Sequence, residues 1–404
     1  MAKMREYQDQ VEARPDRFIR YEYPKLLDAS REAVARLINA PVDTVVFVEN
    51  TTEGVNTILR NLKWEEDGKD VFITFSTVYE GCGKAVDYLV DYYDGKVTNE
   101  ELDIQYPVED DEILRIFRDA VKALHNRGKR PRICMFDVVS SRPGVLFPWK
   151  EMIKACKELG VMSLVDGAQG VGMVYLDVGT ANPDFFVSNC HKWLHTPRGC
   201  AVFQVPFRNQ PLLPSTLATS HGYVPKTRTR TTPLPPQNKS KFILNFEFAG
   251  TKDNAPYLCV KDALEWRQSV GGEDKIIAWL HYLNKAGSAL VADGFGTKVL
   301  NNSKGTMTDC GMANVPLPVW IGEKGKEAGD DDVVVPKEEA EKAFQWMLRK
   351  MYEEYNTFIV LYAEQGRFWT RLSAQVYLDL ADYEFVVRTL KSLFERVRKG
   401  EYNQ

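Results

Sequence analysis

Phe185-Phe186-Val187-Ser188-Asn189-Cys190-His191-Lys192-Trp193-Leu194 places a lysine among groups that expect burial. Phe185 to Val187 is an unbroken apolar run, the pattern of a strand covered on both faces in a parallel sheet. Small polar residues and a histidine follow, then Lys192, then Trp193 and Leu194. An amine held out of water is biased toward its neutral form, which makes it a usable nucleophile and base. A lone lysine at a strand end ordinarily keeps its head in water, but the sequence upstream argues for more. Ser163-Leu164-Val165-Asp166-Gly167-Ala168-Gln169 is a second apolar strand, and it ends on a carboxylate followed by glycine and a polar amide. Two strand ends therefore carry complementary charges.

Asp166, Gln169, His191 and Lys192 in this arrangement resemble the class V aminotransferase family of pyridoxal-phosphate (PLP) enzymes, which includes cysteine desulfurases and isopenicillin N epimerases. The resemblance implies an α/β fold of type I: a large domain with a mainly parallel seven-stranded sheet between helices, and a smaller α+β C-terminal domain. It also implies that Lys192 carries pyridoxal 5'-phosphate covalently and that Asp166 faces the pyridine nitrogen. A carboxylate there keeps the ring nitrogen protonated, the state in which the ring draws electrons. An amino acid that displaces Lys192 leaves the amine free to move the substrate's alpha proton. The resemblance also implies that Gln169, His191 and Asn189 face the cofactor.

The rest of the chain bounds the reading. Its 404 residues exceed what one small core supports, and we expect two to three domains. Lys and Arg number 52 against 56 Asp and Glu, a net charge of −4 that offers no case for nucleic acid or an anionic membrane as partner. No apolar segment is long enough to span a bilayer, and the first residues lack the apolar core of a secretory signal. Seven cysteines without a CxxC pair argue against a disulfide framework and a zinc site. Together these point to a reducing, cytoplasmic setting. Cys190 reads as a small buried filler rather than a reactive thiol.

Taken in order, residues 1–40 are helix-prone and are expected to pack with the small domain, 41–255 to form the large cofactor-binding domain, and 256–404 the small domain. Val45 to Val48 is a fully apolar strand, followed by Glu49-Asn50-Thr51-Thr52-Glu53-Gly54 and a helix. A helix N-terminus presents unpaired N–H groups to a phosphate, and Thr51 and Thr52 add hydroxyls; simple N-capping by a threonine explains the same residues. The resemblance assigns this turn to the PLP phosphate. It also assigns Tyr79, after the strand Val71 to Phe75, to stacking on the pyridine face, and Ser140, after the strand Ile133 to Val139, to the cofactor-facing edge. Residues 94–111 read as an acidic link, and the proline-rich, basic stretch 225–241 as an exposed loop.

Phe246-Glu247-Phe248-Ala249-Gly250-Thr251-Lys252-Asp253 is similar to the family's Gly-Thr-x-Asp signature. That likeness implies that Thr251 reaches the cofactor phosphate of a neighbouring subunit, and hence a homodimer. Arg371 matches the family's arginine for a substrate carboxylate, a task suited to a planar two-pronged donor. Between Gly311 and Arg371 there is no cysteine, which disfavours a persulfide-forming desulfurase. The residues around Lys192 resemble the epimerase-like branch, which includes fungal carbon–sulfur lyases of ergothioneine biosynthesis. The expected activity is PLP-dependent cleavage of a C–S bond in a cysteine or cysteine sulfoxide conjugate. An epimerase or aminotransferase on the same scaffold is the alternative, and a PLP-fold protein without catalysis the second. Relatives carry a Leu-Asn-x-Gly segment before the first helix that has no counterpart here.

Overall fold

Segments that are apolar without alternation form the interior of a sheet, because strands covered on both faces leave no position for polar side chains. The computed structural model describes every residue of the chain except Pro233. Its larger sheet comprises β1 (Val45–Val48), β2 (Asp70–Phe75), β3 (Thr98–Leu102), β4 (Arg130–Asp137), β5 (Met162–Asp166), β6 (Phe185–Asn189) and β7 (Ala201–Gln204). The seven strands lie in the order β1-β7-β6-β5-β4-β2-β3. β7 runs antiparallel to β1 and β6, and every other pairing is parallel. Every residue of β1, β2, β6 and β7 is buried.

β3 falls within the stretch expected to be a link. Its sequence, Thr98-Asn99-Glu100-Glu101-Leu102, has no apolar run, yet it pairs with β2 along its length. As an edge strand it borrows one neighbour's hydrogen bonds and keeps polar side chains on the outside.

The chain divides into two compact units. The first holds Met1–Gln105, Asp110–Ser140 and Phe147–Asp274; the second holds Tyr106–Glu109, Ser141–Leu146 and Lys275–Gln404. This differs from the expected boundaries in two places. Residues 1–40 pack within the first unit, where the Tyr7 hydroxyl donates to Asp262 (2.9 Å), Tyr23 to the Glu247 carbonyl (2.9 Å) and Ser30 to the Leu258 carbonyl (2.9 Å). Helix Ala255–Ser269 belongs there too, so the division falls at 274/275 rather than 255/256. These hydrogen bonds join residues more than two hundred positions apart, beyond the reach of any local pattern.

In the second unit, β8 (Met312–Ile321), β9 (Val333–Val335), β10 (Val360–Glu364) and β11 (Arg367–Ser373) form a sheet in the order β10-β11-β8-β9. Helices Ala340–Tyr355 and Leu380–Arg398 accompany it, the latter opened by a capping box of Asp379 and Asp382. The stretch 225–240 has no helix or strand among its described residues, as its composition predicts.

Candidate active site

The C-terminal ends of β4, β5 and β6 lie side by side, and in open α/β sheets ligands bind outside such ends. β5 ends on Asp166, which is 3% exposed. Burial pushes its carboxyl above the usual range, while the Ala168 amide (2.8 Å), Lys192 and the Cys82 thiol pull it back down. Lys192 follows β6 in the short helix Cys190–Trp193 and is partly buried. Its Nζ lies 6.0 Å from the centre of the Tyr79 ring, which is half exposed. Lysine and buried carboxylate thus interact within one unit, with an aromatic face beside the amine.

The turn between β5 and β6 is fixed from both sides. Ser188 donates to the Gly167 carbonyl and accepts from the Val171 amide (3.0 Å). Gln169 is buried, and its Oε1 accepts from Trp193 Nε1 (2.7 Å). Gly172 sits at φ +85°, where a Cβ would meet the Trp193 carbonyl oxygen at 2.6 Å, so only glycine lets this loop approach the lysine turn. His191 Nδ1 lies 2.8 Å from the Cys200 carbonyl, so Nδ1 carries the proton and donates. Burial lowers the pKa of its ring, assisted by Lys192 and Arg198, and keeps it neutral.

The helix Thr51–Asn61 starts at the same edge. Its cap is Asn50, which accepts from the Glu53 amide (2.9 Å), so neither threonine serves as N-cap. The Thr51 amide is held by Asn189 Oδ1 (3.0 Å), which ties the helix start to the end of β6. The Thr51 hydroxyl is buried without a partner. Thr52 hydrogen-bonds the Cys82 sulfur, and Cys82 donates to Asp166 Oδ2 at 3.6 Å. A polar chain therefore runs from the helix N-terminus to Asp166. Ser140 is buried beyond the end of β4.

Thr251 is exposed and lines a separate cleft with Val11, Phe18, Ile19 and Phe248, outside the Lys192 cluster of this chain. Arg371 belongs to the second unit. There its Nη1 donates to the Ser141 carbonyl (2.8 Å) and hydroxyl (3.1 Å), its Nε is buried without a partner, and burial together with Arg142 lowers its pKa.

Three participants carry no local signal that marks them. Cys82 is one of seven scattered cysteines, and Asp137 is a strand-end carboxylate among several. The third, Arg267, is wholly buried. Its Nη1 donates to the Trp193 carbonyl (2.9 Å), its Nη2 to the Gly172 carbonyl (3.0 Å), and both Nε and Nη2 engage Glu273. A guanidinium from helix Ala255–Ser269 thereby ties the loop after Asp166 to the turn bearing Lys192. Among the described residues no cluster could hold a metal ion, and no helix is long and apolar enough to cross a membrane.

The L-cysteine desulfhydrase-like protein lolT2 of Epichloe uncinata is 33% identical over 100% of this chain and 89% of its own. Hercynylcysteine sulfoxide lyase of Schizosaccharomyces pombe is 27% identical over 95% of this chain and 87% of its own. Among solved structures, the cystine C-S lyase C-DES with its reaction product cysteine persulfide has a similar fold, with a TM-score of 0.72 at 17% identity over 96% of this chain and 92% of that one. A lysine-to-alanine variant of that lyase holds glycine covalently linked to its PLP cofactor. Residues 1–303 match the family described as Aminotransferase class-V, and the chain belongs to that family.

Proposed function

We propose that the chain is a PLP-dependent carbon–sulfur lyase acting on a cysteine conjugate, with hercynylcysteine sulfoxide as the first candidate substrate. The observation that carries the reading is the pairing of buried Asp166 with Lys192 at adjacent strand ends, beside the Tyr79 ring. Family membership and the lyase and desulfhydrase relatives support it.

The residues present fit the cofactor. Asp166 is a buried anion for a pyridinium nitrogen, and the unpartnered Thr51 hydroxyl stands at a helix N-terminus suited to a phosphate. Tyr79 would offer a face for the ring, and Gln169, His191, Asn189, Thr52 and Ser140 are the proposed cofactor-facing residues around it. When bound, PLP supplies the electron sink that makes the alpha proton of an amino acid removable.

The chain's own residues do the rest. Lys192 would hold the cofactor and, once freed by the substrate's amine, take the alpha proton; the beta sulfur group would leave with the C–S electron pair, and water would convert the remaining three-carbon fragment to pyruvate and ammonia. Asp166 would keep the ring nitrogen charged, and the neutral His191, fixed through Nδ1, would hold the lysine turn in place. Arg371 is the proposed anchor for the substrate carboxylate, its free Nε adding a second donor direction. Thr251, exposed in the single chain, is proposed to meet a second copy in a homodimer.

Pyruvate and sulfur-product release from hercynylcysteine sulfoxide and simpler cysteine conjugates tests the reading. We expect pyruvate together with a visible absorption band from lysine-bound PLP. Lys192→Ala should abolish the band and lower the rate about 10²–10⁴-fold from lost proton transfer alone. Inverted amino acid without pyruvate identifies an epimerase, and a requirement for a keto acid an aminotransferase; either outcome rejects the lyase.

A further inference from the structure

We propose that Asp137 is a positioning residue behind Asp166: the two carboxyls share one proton and, with the Thr77 hydroxyl, hold a single water beneath the site. The acid pair is a property of this chain alone; its effect on the cofactor rests on the PLP reading above.

The register places the pair. Asp137 on β4 and Asp166 on β5 are direct partners across a parallel ladder, and strands in a sheet lie about 4.8 Å apart. Both side chains line one cavity with Thr77, Val78, Phe75 and Phe147. That cavity measures about 10 Å³, room for about one water. The Thr77 hydroxyl is buried and has no partner, so a water there meets three polar groups among otherwise apolar walls. Such a water needs two to four partners to be held.

Two carboxylates at this spacing and out of water do not both stay ionised. The hydrogen bonds that stabilise an anion converge on Asp166, from the Ala168 amide and the Cys82 thiol. No such hydrogen bond is among the influences on Asp137, whose environment is set by burial, Asp166 and Lys192. Burial and the neighbouring Asp166 push its carboxyl well above the ordinary 3.8, with Lys192 opposing. The proton therefore resides on Asp137 and the negative charge on Asp166. The titratable groups facing the pair are Lys192 from the turn after β6 and Cys82 from helix Glu80–Tyr92. Burial and both acids push the Cys82 thiol up, so it stays neutral.

A neutral carboxyl that donates toward Asp166 does two things. It holds the carboxylate in one orientation, and it keeps the pair at a single negative charge, matched to a single cation in the site. Removing the donor would leave Asp166 less firmly held, directly or through the shared water, with a looser grip on any cation it faces.

The test uses the full chain, with and without PLP. Without cofactor near pH 7, the wild type should show the infrared carbonyl band of a protonated carboxylic acid, and Asp137→Asn should lose it. The stability profile carries a sign. Above 3.8 an unfolded Asp137 has released its proton while the folded one retains it, so the unfolded state binds fewer protons and wild-type stability falls as pH rises toward the folded value. Asp137→Asn lacks that slope, so its melting temperature relative to wild type should climb steadily as pH rises above about 5. With PLP, Asp137→Asn, which keeps a donor, should hold the cofactor within about twofold of wild type, whereas Asp137→Leu should loosen it about tenfold. An infrared band unchanged in Asp137→Asn, or stability profiles that stay parallel, overturns the proposal, as does equal cofactor affinity in the asparagine and leucine variants. If the cofactor-free results hold but no variant and no wild type takes up PLP, the acid pair stands and the cofactor reading fails.

Discussion

Replacing Arg267 by methionine tests whether the Lys192 turn depends on a staple from a distant helix. Methionine fills most of the apolar volume of the arginine stem, so the change removes chiefly the guanidinium. Its loss unpairs Glu273, whose side chain is only 23% exposed, and orphans the Trp193 and Gly172 carbonyls. Breaking a buried ion pair by truncating one partner costs about 3–5 kcal/mol, and this figure includes much of the penalty for the orphaned oxygens. A unit of this size loses about 2–4 °C per kcal/mol, so the melting temperature should fall by about 6–20 °C. Circular dichroism of the cofactor-free protein measures that fall. Addition of PLP then reports on the turn, because the anchored Trp193 carbonyl is adjacent to Lys192 and its release should weaken formation of the visible band. Glu273→Gln should cost less, and the double variant less than the sum of the singles, since the two side chains are in direct contact. A fall of under about 2 °C in Arg267→Met, or strict additivity in the double variant, refutes the staple.

Arg371→Lys removes the planar fork while keeping the charge. We expect KM for the amino-acid substrate to rise about 10–100-fold, corresponding to about 1.5–3 kcal/mol for a charged hydrogen-bond pair, with kcat changing less. Steady-state kinetics checks this, and an unchanged KM with a collapsed kcat rejects carboxylate anchoring. His191 supplies an acid-side signature. Its folded pKa lies below the ordinary 6.5, so as pH falls through that value the unfolded state takes up the proton first. Stability from this group is therefore present above 6.5 and is lost as pH falls through the folded value. His191→Gln should flatten the melting profile on the acid side, and an unchanged profile would exclude a neutral, buried His191.

What local sequence determines here is the periodicity and the chemistry at strand ends. Unbroken runs such as Phe185 to Val187 announce strands covered on both faces, and a carboxylate that ends one such strand, at 166, with an amine just beyond the next, at 192, announces a charged pair at one sheet edge. The turn residues after β1, with Asn50 and two threonines ahead of a helix, announce a helix start, though not which residue caps it. β3 escaped this reading because an edge strand needs neither apolar run nor alternation, only a neighbour with free backbone groups.

Tertiary structure alone decided which distant side chains complete the cluster. Arg267 reaches the Lys192 turn across 74 positions, Cys82 reaches Asp166 across 84, and Tyr23 binds the first helices to the large unit across 224. Whether Asp137 faces Asp166 depends on the register of β4 against β5, and a shift of one residue would send its side chain to the opposite face of the sheet. Side-chain spacing along the chain encodes which face a residue takes within its own element. The partner on the other side comes from how elements pack, and hydrogen bonds over such separations leave no periodic trace in the residues between them.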